Sequence, residues 1–148
     1  MPTEEFVMRG QTASGGTEVL NFGSKHGYGF RLIEFELYPS SSIGSSNNEF
    51  MATLTAGKTA IAPTDPNFTN EGLIGSVCSN FPSSIGSTGW RNAVINDTFL
   101  ITQNLIIMVQ DTGGGDLPVN WQCRFKPVKL SETEMANANL RQFHVFDE

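Results

Sequence analysis

Between positions 119 and 126 apolar and polar side chains alternate residue by residue. Val119, Trp121, Cys123 and Phe125 fall on one side, and Asn120, Gln122, Arg124 and Lys126 on the other. Successive side chains of an extended chain point to opposite faces, so this period of two predicts a strand with one face in a core and one in water. A similar run at 30–38 puts Ile33, Phe35 and Leu37 on one face and Glu34 and Glu36 on the other, and Pro39 ends it. The β-branched run at 104–110 is joined to the first strand by DTGGGDLP at 111–118. These turn formers predict a long antiparallel hairpin with a mobile glycine tip.

Weaker strand patterns lie at 18–22, 49–55, 73–79, 91–95 and 98–102, each bounded by Gly, Pro, Asn or Ser. The spacing predicts an all-β fold, an antiparallel two-sheet sandwich of jelly-roll type, with longer excursions at 58–72 and 80–89. One helix signature stands near the C-terminus at 131–141, where Ser131 and Glu134 form a capping box and Glu132 sits in the first turn. The chain shows no internal repeat, heptad or composition shift. Its 148 residues suit a single β-sandwich domain spanning 1–148.

Charged residues make up 16% of the chain, against about 25% in an average globular protein. The surface is therefore expected to be largely neutral and polar, as in the Ser- and Asn-rich run at 40–48. A formal net charge of −6 argues against direct contact with nucleic acid, whose affinity comes from clustered Lys and Arg. The first residues include Glu4 and Glu5 with no apolar signal region, and there is no 18-residue apolar run. The expectation is a soluble chain made in the cytoplasm, with no transmembrane segment. Cys78 and Cys123, each in a strand-like stretch, are expected to be two buried free thiols.

The residues that catalytic and metal chemistry require are sparse in this chain. His26 and His144 are the only histidines, and no C-x-x-C or H-E-x-x-H spacing exists for zinc. No G-x-S-x-G elbow is present, and Ser83, Ser84 and Ser87 sit among loop formers. Ala56-Gly57-Lys58-Thr59 resembles the tail of a phosphate loop, but Ala52 stands where its first Gly belongs, so a turn after the 49–55 strand is expected. Asp111, Asp116 and the carbonyls of Gly113 to Gly115 could form an oxygen-rich calcium site, although a glycine turn is the favoured reading. The Asn-X-Thr triplets at Asn67 and Asn96 carry no weight as glycosylation sites without a secretory signal. A small β-barrel enzyme would require Asp65, Glu71, Asp97 and Asp111 to converge in one cleft. The chain is therefore expected to be no enzyme, with no catalytic, cofactor-binding or metal residues and no cofactor.

Trp90, Trp121, Tyr28 and Phe30 invite comparison with a sugar-stacking platform. The alternation places Trp121 in the core. Trp90, after Ser87-Thr88-Gly89, is the better candidate for exposure, with core or interface packing the favoured expectation. A carbohydrate-binding β-sandwich, with carbohydrate as partner, is thus the alternative function.

The strand pattern from 18 to 130, and above all the segment FLITQNLII…PVNWQCRF that starts at Phe99, resembles the single jelly-roll structural proteins of virus and bacteriophage particles. The resemblance implies a subunit of the virion that packs against copies of itself and other virion structural proteins, or decorates their shell. Genome-packaging coats often carry a basic N-terminal arm, whereas residues 1–10 are not basic. That departure favours a capsid, penton, decoration or tail-associated role without nucleic-acid contact. The neutral polar loops, the N-terminal strand and the helix after Ser131 are the expected contact elements.

Overall fold

A computed structural model describes residues 4–22, 27–41, 48–57, 59–81, 89–113 and 115–146. The strands are β1 (Phe6–Thr12), β2 (Thr17–Leu20), β3 (Tyr28–Pro39), β4 (Asn48–Thr55), β5 (Leu73–Phe81), β6 (Trp90–Ile95), β7 (Leu105–Asp111) and β8 (Val119–Lys129). One helix, α1 (Glu132–Phe146), follows. The strands form two antiparallel sheets, one ordered β1-β8-β3 and the other β2-β7-β4-β5-β6. First pairs with last, second with seventh and fourth with fifth, while the third and sixth meet across the joint between the sheets. This nested pairing is a long antiparallel ribbon rolled into a two-sheet sandwich, the jelly roll that the spacing of strands predicts.

The inward faces explain why these segments extend. Trp121, Cys123 and Phe125 of β8 face Phe50, Ala52 and Leu54 of β4 and Leu105, Ile107 and Val109 of β7 inside one core, with the register expected from the alternation. Phe22 lies 4.8 Å from Phe125 in an edge-to-face pair and 5.2 Å from Phe30, and Phe6 joins them. Such aromatic pairs add about 0.5–1.5 kcal/mol each beyond area burial.

Three local expectations change, and one strand is added. The hairpin expected between 104–110 and 119–126 does not form: β7 pairs with β2 and β4, and β8 with β1 and β3. The 112–118 connection crosses from one sheet to the other instead of turning back within one. In β3, a register shift between Leu32 and Glu34 makes Ile33 the extra residue of a bulge. The inward set is therefore Phe30, Leu32, Phe35 and Leu37, and Ile33 leaves the core face. Residues 98–102 form no strand, only an isolated bridge from Ile101 to Phe30, yet Phe99 and Ile101 are buried as plugs. Finally, β1 was hidden from periodicity because two of its inward positions are Gly10 and Thr12.

The helix begins as its capping box predicts, with Ser131 N–H donating to Glu134 Oε1 at 3.1 Å and Glu134 N–H to Ser131 Oγ at 3.2 Å. It docks through Ala138 and the fully buried Gln142, whose Oε1 accepts from the backbone N–H groups of Thr102 and Gln103. The 56–72 excursion is closed at its base by Ala56 N–H donating to the Gly72 carbonyl. Most of the 80–89 excursion lies outside the described residues. No helix among the described residues is long and apolar enough to cross a membrane.

Candidate functional site

The two outward faces of the sandwich differ in charge. On the three-stranded sheet, the residues that alternate with core positions include Arg9, Arg31, Glu34, Glu36, Arg124 and Lys126. Glu34 pairs with Arg124 at 3.4 Å. Glu36 pairs with Arg91 at 3.1 Å, which clips β6 to β3 across the joint. On the five-stranded sheet the outward apolar positions are Val19, Met51, Cys78, Val94, Ile106 and Met108, interspersed with Thr, Ser, Asn and Gln. Glu49 is the one charged outward strand position there among the described residues. Val19, Trp90 and Val94 on this face are 57%, 51% and 49% exposed. The edge strand β6 has both faces accessible along most of its length. A depression of about 320 Å³ opens beside it, between the chain at Phe68–Glu71 and the ends of β5 and β6.

The three-stranded sheet carries a second feature, a groove of about 510 Å³ across its strands. Its walls come from two neighbouring outward rungs. Arg9, Gln122 and Glu36 stand opposite one another in one rung, and Asn120 and Tyr38 in the next. Between them the rung of Gly10, Trp121 and Leu37 points inward, so its backbone is the floor. Gly10 is needed there: a Cβ on it would lie 2.8 Å from the Trp121 ring. The indole beneath is fixed by its N–H donating to Thr12 Oγ1 at 2.9 Å. Asn120 is likewise held, its Oδ1 accepting from Gln11 at 2.9 Å and its Nδ2 donating to the Pro39 carbonyl at 3.2 Å. A volume of several hundred Å³ is the usual size of a small-molecule site.

Of the aromatic residues singled out from sequence, Tyr28, Phe30 and Trp121 are buried and offer no stacking surface. Trp90 is exposed on the outward face of β6, so core packing does not hold for it. The 54% exposed Tyr38 went unnoticed in the sequence because it is one member of an ordinary alternation in β3. The thiols split: Cys123 is buried, and burial pushes its thiol far above the usual range, whereas Cys78 is only half-buried on the outward face of β5.

Asp111 accepts the backbone N–H groups of Gly113 and Leu117, each at 2.9 Å. Its carboxylate therefore pins the glycine-rich turn, in which Asp116 adopts a φ of 47°. The four carboxylates do not share a cleft. Asp111 pairs with Phe50 near the start of β4, while Glu71 and Asp97 adjoin its end at Thr55, about 16 Å away by strand rise. Among the described residues no group of three or more His, Cys, Asp or Glu could hold a metal ion. Asn67 and Asn96 are engaged locally, each Oδ1 accepting from both the backbone N–H and the hydroxyl of the Thr two positions on. Gly57 follows β4 in a bend. His26, Lys58, Ser83, Ser84, Ser87, Gly114 and the side chain of His144 lie outside the described residues.

Comparison with protein-family models, curated proteins and solved structures finds no match to this chain.

Proposed function

We propose that the chain is a non-enzymatic structural subunit of a virus or phage particle, in a capsid, penton, decoration or tail-associated role. It joins copies of itself and other virion proteins through the outward face of the five-stranded sheet. The observation that carries the reading is the segregation of charge between the two faces. Covering an unpaired charge incurs a much larger desolvation penalty than covering a neutral polar side chain, which a single hydrogen bond across the interface offsets, and apolar side chains gain from being covered. A face presenting Val19, Trp90 and Val94 with almost no charge is suited to burial, and the opposite face, bearing Arg9, Arg31, Glu34 and Lys126, to water. The net charge of −6 and the acidic residues Glu4 and Glu5 fit a subunit that does not touch the genome.

Light scattering of the purified chain tests this directly. The wild type is expected to give a multiple of 16.1 kDa, or to bind particles from its source. The double substitution Val19→Lys and Val94→Lys places charges at half-exposed positions. It should leave a sandwich that melts like the wild type but neither self-associates nor joins particles. Undiminished association of that variant, or occurrence of the protein in its source only as a free monomer, overturns the reading.

A further inference from the structure

We infer that the groove across the three-stranded sheet binds a saccharide that carries a carboxylate. This inference concerns the face opposite the proposed contact surface and does not depend on assembly.

The groove offers what a hydroxylated ring needs. Sugars are recognised by planar side chains that donate and accept in pairs, and by an aromatic face against the ring. Gln122 stands at the centre of the groove with neither end of its carboxamide bonded to a described residue. Asn120 is locked in orientation by Gln11 and Pro39, which leaves its second N–H and a second lone pair for a ligand. Glu36 uses Oε1 on Arg91, so its other oxygen can accept from a hydroxyl. Tyr38 presents a ring that is 54% exposed along the adjacent wall. The floor is backbone held from below by the buried Trp121, so the side chains are displayed on a rigid strand framework.

The acidic character of the ligand follows from Arg9. Glu36 is already claimed by Arg91 on the far side, and no described carboxylate pairs with Arg9. Arg9 and Glu36 flank Gln122 from the two outer strands, a separation of about 10 Å between backbones at the usual strand spacing. The groove between them, about 510 Å³, has room for one pyranose ring with its substituents. A ring seated over Gln122 with hydroxyls toward Glu36 would bring a carboxylate on its opposite side to the Arg9 guanidinium, whose paired N–H groups match carboxylate geometry.

The test is an amide-resolved NMR titration of the full chain with N-acetylneuraminate, glucuronate, glucose and inorganic phosphate at constant ionic strength. Both acidic sugars should shift the amides of Gly10, Trp121 and Gln122, with dissociation constants of order 1 mM. Glucose should bind at least about tenfold more weakly, and phosphate should leave these amides unmoved. Arg9→Gln should remove the preference for acidic over neutral sugar. Gln122→Ala and Tyr38→Ala should weaken both, and Arg31→Gln, outside the groove, should change neither. All four substitutions lie on the outward face and are expected to preserve the fold. Equal responses to glucose and glucuronate, a phosphate response matching that of glucuronate, an unchanged preference in Arg9→Gln, or no shifts up to about 50 mM would each overturn the inference.

Discussion

Trp121 shows how much one side chain can organise. It is 5% exposed, its ring occupies the space that the missing side chain of Gly10 leaves on β1, and its N–H is satisfied by Thr12. Trp121→Ala removes the ring and leaves a cavity between β1 and the core, so chemical denaturation should show a loss of about 3–5 kcal/mol. The reciprocal change, Gly10→Ala, adds an atom 2.8 Å from the same ring and should cost about 1–3 kcal/mol through displacement of the indole. The two cysteines give a third test. A thiol reacts as its thiolate, and burial disfavours that form at Cys123 while Cys78 is accessible on β5. Alkylation of the native protein, read by mass spectrometry, should modify Cys78 alone, with Cys123 following only on unfolding. Modification of both at equal rates would contradict the placement of Cys123.

At the scale of elements, α1 depends on its first turn. Ser131 lowers the pKa of Glu134 through its backbone N–H and its hydroxyl. A carboxylate with a lowered folded-state pKa contributes stability above its unfolded pKa, near 4.3, and loses it as pH falls through the folded value. Protection of the α1 amides, taken relative to their intrinsic exchange rates at each pH, should therefore fall on acidification below about pH 4, and Ser131→Ala should lower it already at pH 7. Protection in α1 that is insensitive to both would contradict the cap. This box was legible in the sequence because all its information is local, as was the inward set of β8, where every second residue is apolar. The β7 to β8 hairpin misled because a glycine-rich connection fits a turn within one sheet and a crossing between two equally well. Which of them forms is decided by the β1·β8 and β2·β7 pairings, far apart in sequence. The bulge at Ile33 and the strand β1 were invisible for a similar reason, since only the partner β8 fixes which of their residues turn inward. The groove was illegible altogether, because its walls come from β1, β3, β6 and β8 and no one segment carries the pattern.

For the whole molecule, the nested ribbon joins the first strand to the last and clips its two sheets together at Glu36 and Arg91, giving a sandwich with one charged and one neutral side. A standard interface takes about 800 Å² from each partner, roughly a tenth of the 8061 Å² that the chain exposes. The sandwich edge has a further consequence: β6 ends the five-stranded sheet with its side chains exposed, and such edges invite pairing unless they are covered. The most direct measurement is hydrogen exchange of the assembled particle against the isolated subunit, resolved by segment. The account predicts added protection across β2, β5, β6 and β7 on assembly, with no change along the outward-facing groove segments of β1 and β3. Protection confined to β1, β3 and β8, or none in any strand, would contradict the assignment of the neutral face as the one that is covered.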